Sequence, residues 1–318
     1  TEDKTFVPGE VAVADGKFAA EAAADSEVLD GEGCYMIPGL VDIHFHGCIG
    51  DDFCDASEEA IANMAKYEAS IGVTSICPAT MTLSEDDLHN IMKTAGAYSG
   101  TEGAKLVGIN MEGPFIHPAY KGAHEESYIA DFDFDFIKRY SDVIRIVTVA
   151  PDKEGGMEFI RKVTSETPVR VSIGHTAATY EQAMDAIACG ATQVTHLYNA
   201  MTPMHHRKPG VVTAALRSDV YTEMICDTIH VHPAMFQFVM DCKSRDKFVL
   251  ITDCMRAGGM PAGEYTLGEL EVVVDGTSAR LRDGTLAGSI LTLNRAIANV
   301  HQHTNKPLWE IVNAATLN

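Results

Sequence analysis

From residue 40 onward, eight short apolar, β-rich runs alternate with helix-patterned segments, and few architectures accommodate that order. The runs are 40–44, 73–78, 106–111, 144–149, 169–173, 193–195, 224–226 and 248–252. Near-continuous apolar strands separated by helices imply a parallel sheet covered on its faces. Eight repeats point to a closed (β/α)8 TIM barrel rather than an open sheet. Helix patterns fill gaps at 57–70, 84–98, 179–188 and 233–243. The third of these opens with Thr179-x-x-Gln182, the spacing of a capping box.

The flanking segments read differently. Residues 9–37 alternate weakly around turns at Asp15-Gly16 and Asp30-Gly31-Glu32-Gly33, which suggests short antiparallel strands. Residues 258–288 carry glycines, an alternating stretch at 270–274 and turns at Asp275-Gly276 and Asp283-Gly284. They predict a hairpin insertion that joins the N-terminal strands in a small β-sandwich domain. The expected organisation is therefore 1–38 and 258–288 as two parts of that small domain, and 39–257 as the α/β barrel. Residues 289–318 would be its closing helices, with patterns at 291–303 and 308–315. Both ends read as cut, so terminal segments are expected outside the numbered sequence. Phe132, Phe134 and Phe136 alternate with Asp131, Asp133 and Asp135, which reads as a loop covering apolar surface.

Net charge limits the partners. The 318-residue chain carries a formal charge of −21, which argues against nucleic acid or an anionic membrane as a ligand. An anionic substrate would need a local basic patch, and His205-His206-Arg207-Lys208 is the candidate. A guanidinium there would grip a phosphate bidentately. No stretch approaches the ~18 apolar residues of a membrane span, and residues 1–16 are too acidic and polar for a signal peptide. The eight cysteines are scattered without a C-x-x-C pair, which predicts reduced thiols and a cytoplasmic setting.

Chemistry concentrates where barrel enzymes place it, at the C-terminal ends of strands. Run one ends in His44 and His46, run three in Glu112, run five in His175, run six in His196 and run eight in Asp253. His44-x-His46 on a strand puts both imidazoles on one face, roughly 6–7 Å apart along it. Histidine and carboxylate ligands suit a divalent ion, Zn, Fe or Mn, and this set does not choose among them. One or two ions fit, with Glu112 as a bridging carboxylate. His44 and His46 would serve one ion, His175 and His196 the other. Asp253 would be the general base for a metal-activated water.

These motifs carry a family resemblance. Pro38-Gly39-Leu40-Val41-Asp42-Ile43-His44-Phe45-His46-Gly47 resembles the first-strand signature of the amidohydrolase superfamily. Four more look like the N-acetylglucosamine-6-phosphate deacetylase family within it: Met111-Glu112-Gly113-Pro114-Phe115, Lys121-Gly122-Ala123-His124, Gly174-His175-Thr176 and Thr195-His196-Leu197-Tyr198-Asn199-Ala200-Met201. The resemblance spans nearly the whole chain. It implies Glu112, His175 and His196 as ligands of a constant metal, with His44 and His46 adding a second and Asp253 as a further metal ligand. It further implies Asp253 as acid/base and His124 as the stabiliser of the oxyanion. Asn199, the backbone of Ala200, and His230 would hold the sugar phosphate. Arg207 would reach the phosphate across a homodimer interface. The substrate implied is a phosphorylated N-acetyl amino sugar, N-acetylglucosamine 6-phosphate, cleaved to glucosamine 6-phosphate and acetate. C-terminal strands that the family adds to its small β-domain find no counterpart in the numbered sequence.

Three alternatives stay open at this level. The epimeric substrate, N-acetylgalactosamine 6-phosphate, fits the same motifs. A cyclic amidohydrolase would bring a bridging lysine and no phosphate clamp, against which Glu112 and Arg207 stand. A non-catalytic barrel scaffold would lack ligands that this chain retains.

Overall fold

The computed structural model describes residues 5–318. Eight parallel strand positions follow the expected alternation. They are β1 (Leu40–Asp42), β2 (Val73–Ile76), β3 (Lys105–Leu106 and Ile109–Glu112), β4 (Ile144–Val149), β5 (Arg170–Ile173), β6 (Gln193–Val194), β7 (Tyr221–Ile225) and β8 (Phe248–Ile251). Strands β3 to β8 form one six-stranded parallel sheet, and β1, β2 and the first part of β3 a second.

Backbone hydrogen bonds close the two sheets on each other. The break in β3 falls at Gly108, whose φ of 147° is open mainly to glycine. Past that break, the Asn110 N–H donates to Pro78 O and Thr80 N–H to Asn110 O, each at 2.9 Å. At the other seam the Asp253 N–H donates to His44 O at 2.8 Å. Below it, the carbonyls of Ala314 and Ala315 accept from Leu250 and Val41 and so wedge the C-terminal turn between β8 and β1.

Helices follow from capping signals as much as from periodicity. Ser57 caps α1 (Glu58–Ser70) and Ser84 caps α2 (Glu85–Ala97), each accepting from a backbone N–H three residues on. The capping box read from Thr179 and Gln182 forms at α5 (Tyr180–Ala188). One expectation needs correction. The Phe/Asp alternation at 131–136 is not a loop throughout: Asp133 accepts from Phe136 N–H and starts α3 (Phe134–Arg139). Phe132, just outside it, stacks on Phe159 of α4 (Gly156–Glu166) with ring centroids 4.6 Å apart. The circuit is completed by α6 (Gly210–Arg217), α7 (Ala234–Cys242), α8 (Leu293–His303) and α9 (Leu308–Asn313). No helix of the described residues is long and apolar enough to cross a membrane.

The accessory strands differ from expectation. Ala12–Ala14 and Lys17–Ala19 pair as a hairpin through Asp15-Gly16, both at positive φ, as a two-residue hairpin turn requires. Residues 263–281 form a three-stranded antiparallel meander rather than a single hairpin. Among the described residues the two form separate sheets. The hairpin strands are three residues long and leave Val13 and Phe18 exposed at 59% and 79%.

The barrel interior beneath its C-terminal rim is polar. Asp42, Asn110, Thr148, Ser172, Gln193, Thr195 and Glu223 are all buried there, and Thr195 Oγ1 bonds Thr148 Oγ1 at 3.0 Å and Ser172 Oγ at 2.6 Å. Most buried polar groups of this kind are hydrogen-bonded, and this layer forms the floor of the site.

Candidate metal centre

The six residues expected to bind metal converge at the C-terminal rim. His44 and His46 follow β1, Glu112 ends β3, His175 follows β5, His196 follows β6 and Asp253 follows β8. All six are buried. Glu112 divides its oxygens between two imidazole pairs. Its Oε2 lies 3.3 Å from His44 Nε2 and 3.2 Å from His46 Nε2. Its Oε1 lies 3.1 Å from His175 Nε2 and 3.0 Å from His196 Nε2. Two three-residue ligand groups thus share one carboxylate. Asp253 Oδ1 closes the first group, 3.1 Å from His46 Nε2.

The local backbone is bent to achieve this. His175, His196 and Asp253 take φ of 47°, 23° and 51°, a left-handed region that costs a non-glycine residue roughly 1–3 kcal/mol. Each bend turns a side chain off its strand toward the common centre. Gly174 permits one of them, since a Cβ there would stand 2.7 Å from Thr195 Cβ.

The donor set fits divalent cations. His175 Nδ1 donates to the Tyr120 carbonyl at 2.9 Å, so its Nε2 presents a lone pair. That lone pair faces His196 Nε2 at 3.0 Å. His44 Nε2 is buried and has no hydrogen-bond partner, while its Nδ1 lies 2.9 Å from Glu223 Oε2. Ligand atoms around a tetrahedral ion with bonds near 2.1 Å stand ~3.4 Å apart, and the spacings here are 3.0 to 3.3 Å. A cation satisfies lone pairs that would otherwise repel.

The charged groups of the centre lie within a few ångströms of one another. Burial opposes ionisation of Glu112, but His44 and the bonds from His175 and His196 hold it well below the usual carboxylate range. Burial likewise works against Asp253, yet the His46 bond and the His44 charge keep it ionised, down at about 2. His124 goes the other way. Burial, then the neighbouring His175, drives its imidazole well below the ordinary histidine value, so it stays neutral. Its tautomer is set by Thr82, whose backbone N–H donates to Nδ1 at 3.1 Å and whose hydroxyl lies 2.9 Å from the same atom. Nε2 therefore carries the proton, 3.7 Å from Glu112 Oε2. Gly113 makes room for that contact, since a Cβ there would sit 2.1 Å from Thr82 Oγ1.

The remaining expected residues divide. Asn199, Ala200, His230 and His124 line one cavity with the ligands. His230 Nδ1 donates to Asp227 Oδ2 at 2.6 Å, which fixes the ring's orientation. Arg207 does not reach that cavity; it lies on an exposed loop, with Nη1 2.6 Å from His206 Nε2. The meander contributes Leu267 to the wall, and the segment that follows it contributes Thr285 and Leu286. Cys48 and Cys254 are buried, and burial pushes both thiols well above their ordinary range, so they are packing groups. Reading by strand ends missed Thr82 and Glu223. For Glu223 a signal existed, a lone carboxylate inside an apolar strand, which is rarely buried without a partner.

Strand-end ligands around a shared carboxylate define a class of metal-dependent hydrolase, and residues 35–263 match the model of the amidohydrolase family, to which this chain belongs. Relatives narrow the likeness further. The N-acetylglucosamine-6-phosphate deacetylase of Lysinibacillus sphaericus is 39% identical, covering 96% of this chain and 81% of its own. The N-acetylgalactosamine-6-phosphate deacetylase of Escherichia coli O157:H7 is 36% identical, covering 100% of this chain and 85% of its own. Among solved structures, an aspartate-to-alanine mutant of the Mycobacterium smegmatis N-acetyl-D-glucosamine-6-phosphate deacetylase, in complex with N-acetyl-D-glucosamine 6-phosphate, superposes with a TM-score of 0.85. It is 30% identical over 95% of this chain and 82% of that one.

Proposed function

We propose that this chain hydrolyses the acetamide of N-acetylglucosamine 6-phosphate to glucosamine 6-phosphate and acetate. The observation that carries the reading is Glu112 shared between two histidine pairs, with the ionised Asp253 beside one of them. His44, His46 and Glu112 would hold one divalent ion, and Glu112, His175 and His196 the other. When bound, such ions supply Lewis acidity for the carbonyl and a lowered pKa for water.

The protein's own groups do the rest. Asp253 accepts the proton of the attacking water and later delivers it to the departing nitrogen. His124, neutral with its proton on Nε2, donates to the carbonyl oxygen as negative charge develops there. Asn199, the Ala200 backbone and His230 line the cavity and hold the sugar phosphate. In a homodimer, the partner subunit's Arg207 completes the phosphate site, which agrees with the exposure of Arg207 within one copy.

The test is a substrate panel. Acetate release is measured from N-acetylglucosamine and N-acetylgalactosamine, each with and without the 6-phosphate, by protein loaded with Zn²⁺, Fe²⁺ or Mn²⁺. The highest kcat/KM is expected for N-acetylglucosamine 6-phosphate. Preference for the galactosamine epimer would reassign the substrate, and equal rates without phosphate would remove the clamp.

A further inference from the structure

Glu223 lies in the middle of β7, fully buried, and no role above uses it. A carboxylate inside an apolar strand loses its hydration and must recover that cost from donors. It has three. Oε2 accepts from His44 Nδ1 at 2.9 Å and from the backbone N–H of His196 at 3.2 Å. Oε1 accepts from the Gln193 side-chain amide. His44 and His196 belong to the two different ligand groups that share Glu112.

The consequences for the two groups are unequal. In the first group His46 Nδ1 is buried without a partner, so the Glu223 bond to His44 is that group's one ring anchor. In the second, His175 keeps its own anchor on Tyr120 O, and Glu223 touches only the His196 backbone. A ring nitrogen binds metal only when bare, and the hydrogen bond made by the opposite nitrogen decides which one is bare. Among the described residues Glu223 is the partner of His44 Nδ1.

We propose that Glu223 is the positioning residue of this centre: it fixes His44 with its proton on Nδ1 and Nε2 bare, and so determines whether the His44–His46–Glu112 group holds an ion. The inference rests on the two-ion reading given above. Asn199, His230 and the other cavity residues play no part in it.

The experiment uses the full chain loaded with Zn²⁺, wild type against Glu223→Gln. Metal content and chelator competition give stoichiometry and affinity for each ion. Histidine ¹⁵N–¹H spectra report the His44 Nδ1–H, assigned by its loss in His44→Gln. Glu223→Gln should weaken one ion by roughly 10–100-fold, leave the other within a few-fold, and remove or shift the His44 proton signal. Two ions held at wild-type affinity with an unchanged signal would overturn the proposal. Equal weakening of both ions would also overturn it, because that marks a general lesion. A wild type that takes up a single ion would sink the two-ion reading instead, and the proposal then stands or falls on the His44 signal alone. Should Glu223→Gln not fold, Glu223→Asp retains the charge while drawing it back from His44, and the same criteria apply.

Discussion

His124 offers the sharpest single-residue prediction. Its Nε2–H is aimed into the cavity because Thr82 N–H occupies Nδ1, and burial keeps the ring neutral. His124→Asn withdraws that donor while leaving Glu112 and its four imidazole contacts in place. Removing one preorganised donor to a developing oxyanion costs about 2.7–4 kcal/mol, or ~10²–10³ in kcat. The interaction strengthens only as charge builds on oxygen, so KM should change little. Steady-state kinetics on N-acetylglucosamine 6-phosphate, across pH and at fixed metal content, separates these terms. The ring is already neutral in the folded protein, so the acid limb of kcat/KM should stay where it is in the wild type. A kcat loss below tenfold, or a displaced acid limb, would refute the assignment of His124 as a neutral donor.

Two further predictions concern groups away from the chemistry. Glu68 on α1 is buried with Oε2 unpartnered, and burial, then the nearby Asp42, push it up to about 8 from 4.5. The folded state therefore keeps a proton that the unfolded chain releases, and stability from this group is full below pH 4.5 and declines as pH rises toward 8. At 1.36 kcal/mol per pKa unit the loss is on the order of 3 kcal/mol by pH 7; Glu68→Gln should flatten that slope in thermal melts, and parallel slopes would contradict it. Lys243, also buried, donates to the carbonyls of Ala215, Ser218 and Val220 at 2.9, 2.8 and 2.7 Å, closing the C-terminal end of α6. Lys243→Met strands those acceptors and should cost about 3 kcal/mol, read as a Tm lowered by several degrees; an unchanged Tm would refute the capping role.

The eight-fold alternation was legible because strands covered by helices are apolar enough to stand out. Where a strand carries polar groups for the interior, it was not. The seventh run was read as beginning at 224, yet β7 spans Tyr221–Ile225, and the residues passed over include Thr222 and Glu223, both buried. Glu223 acts on His44, 179 positions away, and Thr82 acts on His124 from 42 positions away. Such pairs depend on which rim loops meet in space, which spacing along the chain does not encode. Ligands were easier, since a histidine or acid at the end of an apolar run stands out against its surroundings. Arg207 was expected to reach the phosphate across a homodimer interface, and within one copy it lies on an exposed loop.

Asp253→Asn tests the central claim most directly. Acetate release from N-acetylglucosamine 6-phosphate and bound metal are measured on the same preparations of wild type and variant. Asparagine keeps the shape of the group that faces His46 at 3.1 Å but cannot accept and return a proton. With metal content and substrate affinity retained, kcat should fall by roughly 10²–10⁴-fold. A variant that holds its metal and turns over at the wild-type rate would contradict the assignment of Asp253 as the proton carrier, and with it the hydrolytic mechanism built on this centre.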